Sequence, residues 1–188
     1  DPRPLVEACR CLRLEYDVYA MNDATEFTVK LLDRLEAAMG PRSPAWQQLA
    51  RLLSGSWAHR TLRHGCPHVT ERREPFVLLS LDIRNKSSVE ESLRVATAAE
   101  RMVGENAVNC EECGAKFDAV RQSSLSALPP LLLLGLKRFD IDFTTLTPVK
   151  LNGRIEFPET LDMWPYTMEA ADATRKQEEE KEGQEGQE

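Results

Sequence analysis

Two short turns constrain this chain more than any other feature: "CPH" at Cys66 to His68 and "CEEC" at Cys110 to Cys113. Each places two soft donor side chains on one tight turn, where both can face a single point. Glycines at Gly65 and Gly114 flank the turns, where backbone freedom is useful. Zinc takes four tetrahedral ligands drawn from thiolate and imidazole, and two such turns brought alongside by strand pairing would supply them. The forty or so residues between them hold a long strand and a short helix, so the turns are expected at the tips of neighbouring hairpins. His64 stands at the mirror-image spacing from Cys66 and is the alternative to His68; Pro67, which fixes a turn, favours His68.

Other readings compete with a metal. A free cysteine is often only a small buried apolar residue. A redox Cys-x-x-Cys belongs near a βαβ unit, and none is read here. A nucleophilic cysteine needs a base within reach, and the chain offers only His59, His64 and His68; a closed four-ligand site would leave no reactive thiolate. Cys9 and Cys11 lack a second donor pair and read as ordinary helix or strand residues. Five cysteines are an odd number, and no secretory leader opens the sequence, so a disulfide framework is the weaker interpretation.

Hydrophobic residues make up 41% of the chain, enough for a core. The richest apolar run, Leu128 to Leu136, holds two prolines and a glycine and falls short of the roughly 18 residues a membrane span needs. The first residue is Asp1, not Met, which reads as a segment excised from a longer chain. The net charge of −7 is concentrated at one end: Ala170 to Glu188 holds seven acidic and three basic residues and carries −4. That stretch, 169–188, reads as a disordered acidic tail. The near-neutral body gives no electrostatic case for nucleic acid.

The clearest helix is "MNDATEFTVKLLDRLEAAMGP". Asn22 or Asp23 can cap it, with Glu26 placed as in a capping box. Ala24, Phe27, Leu31, Leu35 and Ala38 form its stripe, and Gly40-Pro41 ends it. A second helix is expected from about Ala45 to Leu53. The period then changes: "FVLLSLDIR" puts Val77, Leu79, Leu81 and Ile83 on one face of a strand. "SSVEESL" opens a short helix with Ser88 as cap and Glu91 three residues on. Strands follow before Cys110, after Gly114 and in "LLLLGLKRF", and Asn152-Gly153 is the strongest two-residue hairpin signal. Helices, then strands with one inserted helix, make an α+β chain.

These residues resemble the ubiquitin-specific proteases, the papain-like cysteine hydrolases that remove ubiquitin. "MNDATEF" resembles that family's Gln-Asp-Ala-x-Glu-Phe box, and "CPH" followed by "CEECGAKFDAVRQ" resembles its zinc-bearing fingers. "LPPLLLLGLKRFD" resembles the Leu-Pro-x-x-Leu to Leu-Lys-Arg-Phe strand. "KLNGRIEFPETLDMWPYT" resembles the segment that follows and points to the fat-facets-like branch, where Cys-x-His replaces the first Cys-x-x-Cys. The resemblance runs from about Tyr19 to Thr167. Asn22 stands where a glutamine is usual, and Gly135 where a larger or polar residue is usual.

The resemblance implies a partial thumb–fingers–palm fold: residues 1–55 as thumb helices, 56–127 as fingers with the zinc knuckles, and 128–168 as the start of the palm. It implies structural zinc on Cys66, His68, Cys110 and Cys113, and a ubiquitin contact at Asp23 and Glu26, where the family's channel receives ubiquitin's C-terminal tail. The family's chemistry uses a cysteine, a histidine and an orienting Asp or Asn. Nothing around Cys9 or Cys11 resembles the Asn-x-Gly-x-x-Cys box, and no histidine box follows "PYT", so no catalytic residue is assigned. The expectation is a deubiquitinase segment inactive alone, or else an inactive ubiquitin-holding module. It would be monomeric and cytoplasmic or nuclear, with ubiquitin or ubiquitinated proteins as partners and neither nucleic acid nor membrane.

Overall fold

The computed structural model describes residues 1–20, 22–142 and 144–185, with side chains as far as 177. The chain is α+β, as expected, and its residues divide between two compact units, each discontinuous in sequence. The first comprises 1–54, 77–84 and 129–153, and the second 55–76, 85–128 and 154–188.

In the first unit, α1 (Arg3–Cys9) is followed by a short 3-10 turn, then α2 (Ala24–Met39) and α3 (Pro44–Leu53). Asp23 caps α2, its Oδ1 accepting from the backbone N–H groups of Thr25 at 2.7 Å and Glu26 at 3.4 Å. Asn22 does not cap; its amide donates to the carbonyls of Asp17 and Ala20. Glu26 does not close a capping box, because its carboxylate pairs with Lys30 one turn on. The buried face of α2 centres on Leu32, with Leu31 and Leu35 partly covered, while Ala24 and Ala38 are exposed. The stripe is thus rotated from the expected one, because Leu32 packs with Trp46 and Leu53 of α3. β3 (Leu79–Asp82) runs parallel to β8 (Leu134–Lys137), and Leu79, Leu81 and Ile83 are all buried as the alternation required. Gly135 lies in β8 where an added Cβ would stand 2.6 Å from Leu78 Cδ2 and 3.0 Å from Thr25 Oγ1, so its missing side chain admits the start of α2.

β9 (Phe139–Asp142) and β10 (Thr147–Lys150) form an antiparallel hairpin closed through Thr144 to Leu146, with Leu146 in the left-handed region. The hairpin expected at Asn152-Gly153 is absent. Neither residue takes the positive φ that such a turn requires. Arg138 explains the extended course, as its guanidinium donates to the carbonyls of Leu151 and Gly153 at 3.0 Å each and its own carbonyl accepts from Leu151 N–H.

The second unit is built on an antiparallel sheet of β1 (Gly55–Arg63), β2 (Thr70–Phe76), β4 (Glu100–Met102) and β7 (Ala119–Ala127), in the order β2-β1-β7-β4. β5 (Val108–Cys110) and β6 (Ala115–Phe117) form a separate hairpin. α4 (Val89–Ala96) begins at Ser88, whose hydroxyl accepts from Glu91 N–H, while the Glu91 carboxylate reaches Ser87 instead of its expected box partner. Leu93 of α4 is fully buried. α5 (Met168–Glu185) replaces the disordered tail expected there as far as Glu185; 186–188 lie outside the described residues. The stretch is rich in glutamate and alanine, both good helix formers. Thr167 starts it, its Oγ1 accepting from Ala170 N–H at 3.3 Å. Ala170 is buried, and Asp172 binds Arg60 of β1 at 2.7 Å. No helix among the described residues is long and apolar enough to cross a membrane.

Candidate metal centre

The first knuckle is the connection between β1 and β2. Their register closes at Thr61 opposite Thr70, which leaves Leu62 to Val69 to turn the chain. Gly65 takes φ 74°, a conformation that side chains resist. Cys66 N–H donates to the Arg63 carbonyl at 3.3 Å, and the Arg63 guanidinium donates to the His68 carbonyl at 3.3 Å. The second knuckle joins β5 to β6: Gly114, at φ 65°, returns its N–H to the Cys110 carbonyl at 2.8 Å.

Together these turns place four ligand atoms around one point. The Sγ of Cys66 lies 3.6 Å from that of Cys110 and 3.7 Å from that of Cys113. His68 Nδ1 lies 3.6, 3.5 and 3.3 Å from the sulfurs of Cys66, Cys110 and Cys113. A regular tetrahedron with zinc bonds of ~2.3 Å to sulfur and ~2.05 Å to nitrogen has sulfur–sulfur edges of about 3.8 Å and sulfur–nitrogen edges of about 3.6 Å. The observed edges match within a few tenths of an ångström. Cys66, His68, Cys110 and Cys113 are therefore positioned to bind a metal ion, and the donor set, three sulfurs and one imidazole, is the soft set of a closed structural site.

Three thiols this close cannot all ionise easily without a cation. The Cys113 backbone N–H and the other donors around it lower Cys110 to about 7, while hydrogen bonding to Cys66, burial and the charge on Cys110 push Cys113 up to about 11. A bound divalent ion would supply the missing charge and hold every ligand deprotonated.

His68 and not His64 completes the set; His64 is exposed and its backbone N–H bonds to the Asp118 carbonyl. Cys9, buried in α1, and the exposed Cys11 take no part. Asp23 and Glu26 lie elsewhere, in the first unit, beside a shallow cavity of about 430 Å³ that Lys30, Lys137 and Phe139 also line. Asp23 Oδ2 accepts no hydrogen bond among the described residues, whereas Glu26 is engaged by Lys30. Sequence reasoning passed over Glu112, whose Oε2 sits 2.7 Å from His68 Nε2; its place between two ligating cysteines was the one available signal.

Over residues 1–181 the chain matches the family described as Ubiquitin carboxyl-terminal hydrolase. It belongs to that family. The match extends beyond the boxes recognised in the sequence at both ends. Among family members, Ubiquitin carboxyl-terminal hydrolase 9X of Mus musculus is 40% identical over 148 residues, 78% of this chain. Probable ubiquitin carboxyl-terminal hydrolase FAF of Drosophila melanogaster is 35% identical over 167 residues, 89% of the chain. The chain spans about 6% of the length of each of these relatives. Among solved structures, a SAGA DUB module of Ubp8, Sgf11, Sus1 and Sgf73 bound to monoubiquitin, its Ubp8 carrying one substitution, aligns with TM-score 0.68 and 29% identity, over 80% of this chain and 34% of that one. The Ubp8/Sgf11/Sus1/Sgf73 module bound to ubiquitin aldehyde aligns with TM-score 0.66 and 29% identity, over 79% and 34%. The fold is accordingly that of the ubiquitin-specific proteases, in part.

Proposed function

We propose that this chain is the ubiquitin-gripping segment of a cysteine-type deubiquitinase, which in the complete enzyme cleaves the bond after ubiquitin's C-terminal glycine. Residues 1–55 serve as thumb, 56–127 as fingers and 128–168 as the start of the palm. The observation that carries the reading is the tetrahedral three-sulfur, one-nitrogen cluster inside a chain of this family. Cys66, His68, Cys110 and Cys113 would hold one structural zinc, which supplies cross-linking between two hairpins and no reactive position. Ubiquitin enters as the partner because the aligned Ubp8 modules are bound to it or its aldehyde. Asp23 is the residue suited to grip it. Its second oxygen remains available for a guanidinium, and a carboxylate accepts such donors strongly. Glu26 contributes negative charge at the same cavity.

The chain by itself is proposed to be inactive, as a ubiquitin-holding module would be. Its first unit holds Cys9 and Cys11 but no histidine, since His59, His64 and His68 all belong to the second. A cytoplasmic or nuclear setting and a monomeric state belong to the same proposal. The test is a titration of isotopically labelled ubiquitin with the full chain, wild type and Asp23→Asn, each at one measured zinc per chain. Asparagine caps a helix about as well as aspartate, so melting should not change, while binding should weaken by roughly 1.5–3 kcal/mol, the scale of a charged hydrogen bond. No perturbation of ubiquitin by the wild-type chain would overturn the proposal. Equal perturbation by both would leave the helix cap as Asp23's whole role.

A further inference from the structure

His68 has two ring nitrogens and the structure gives them opposite surroundings. Nδ1 faces three sulfurs at 3.3 to 3.6 Å, and Nε2 faces a Glu112 carboxylate oxygen at 2.7 Å. A neutral imidazole carries one proton, and the nitrogen that binds a metal must be the bare one. The negative carboxylate favours a proton on the ring nitrogen beside it, so Nε2 carries the proton and Nδ1 is left to offer its lone pair. We infer that Glu112 is a positioning residue of the metal site: its charge selects the ligating nitrogen of His68 and ties the first knuckle to the second.

The chain path makes this a strut across the site. Glu112 lies within the Cys110–Cys113 turn, so its backbone moves with two of the thiolates while its side chain holds the ligand from the other turn. The opposite end of His68 is held by the Arg63 guanidinium on its carbonyl, and Arg63 also donates to Thr70 Oγ1. His68 is therefore fixed at main chain and ring by separate elements. Glu111, the neighbouring glutamate, is exposed and makes no hydrogen bond or ion pair among the described residues, which supplies an internal control. Outer carboxylates of this kind typically account for roughly 10- to 100-fold in metal affinity.

This inference rests on zinc occupying the cluster, and the experiment separates the two. Zinc affinity of the full chain is measured by competition with a chromophoric chelator for wild type, Glu112→Ala, Glu112→Gln and Glu111→Ala. Long-range ¹⁵N correlations on the wild-type zinc form report which His68 nitrogen is metallated and need no variant. The expected result is Nδ1 metallation, a roughly 10- to 100-fold loss in Glu112→Ala, a comparable loss in Glu112→Gln, which keeps the shape and removes the charge, and no change in Glu111→Ala. Metallation at Nε2, or equal affinity of Glu112→Ala and wild type, would overturn the role of Glu112 while leaving the zinc site intact. A wild-type chain that binds no zinc would remove the site and this inference together.

Discussion

Gly55 opens β1 directly opposite Phe76, the last residue of β2, and its substitution by alanine is a sharp test of how the second unit is packed. A Cβ built on Gly55 stands 2.4 Å from Phe76 Cζ and 2.8 Å from Phe76 Cε2, both inside any tolerable contact. It also stands 2.9 Å from the Ala127 carbonyl oxygen, which belongs to the paired strand β7. The ring can swing, at the expense of its contact with Trp57, whose centroid lies 6.3 Å away. The carbonyl cannot move without disturbing the ladder. Overpacking of this kind costs about 1–3 kcal/mol, and a rigid second contact places Gly55→Ala near the upper end, at about 2–3 kcal/mol. With a urea slope of roughly 2 kcal/mol/M, the unfolding midpoint of the zinc-loaded chain should fall by about 1–1.5 M. Trp57 emission would report on the region directly. In a Phe76→Ala background the ring clash is gone and the carbonyl contact stays, so the cost should shrink by about half, giving a coupling of roughly 1 kcal/mol in the double-mutant cycle. A midpoint for Gly55→Ala within about 0.2 M of wild type would refute the packing argument. Strict additivity with Phe76→Ala would refute the part assigned to the ring.

Three further outcomes are expected. Chelation should unravel the two knuckles, because structural zinc supplies on the order of 10 kcal/mol in small sites; hydrogen exchange in β5 and β6 unchanged by chelator would contradict this. Ser87's backbone N–H, then its hydroxyl, hold the Glu91 carboxylate below its ordinary 4.5, so its contribution is full above about pH 4.5 and is lost as pH falls through the lower folded value; Glu91→Gln should flatten that part of the acid-unfolding profile. Asp172→Asn should speed exchange in α5 and cost about 1 kcal/mol, since Arg60 keeps its bond to Glu71 at 2.7 Å, and the effect should diminish in high salt.

What the sequence disclosed tracks how locally each element is determined. The α2 and α4 starts and β3 were legible because caps and alternation act within a few residues. The ligand set was legible because a tight turn fixes where two side chains point. β1 and β2 were foreseen only as the arms of the hairpin that carries "CPH", and their extent was not, since "HRTLR" and "TERREPF" are polar on both faces and pair through cross-strand ions such as Arg60 opposite Glu71. α5 was misread because its net charge hid strong helix propensity and an anchoring ion pair with Arg60, more than a hundred residues earlier in the chain. Asn152-Gly153 misled because Arg138 binds the carbonyls of Leu151 and Gly153 and holds the chain extended.

The division of the chain between its two units has a practical corollary. The backbone passes from one to the other five times, at Ser54–Gly55, Phe76–Val77, Arg84–Asn85, Leu128–Pro129 and Gly153–Arg154. No single cut separates them. A truncation anywhere between Gly55 and Gly153 removes part of both, so neither can be produced as an autonomous fragment from one contiguous stretch of coding sequence. The parallel partners β3 and β8 meet only after the whole stretch from Ile83 to Leu133 has been made. Synthesis from the N-terminus therefore leaves β3 waiting, its apolar face uncovered, through some fifty residues of elongation. Split versions of the protein should regain structure only when both pieces are present together.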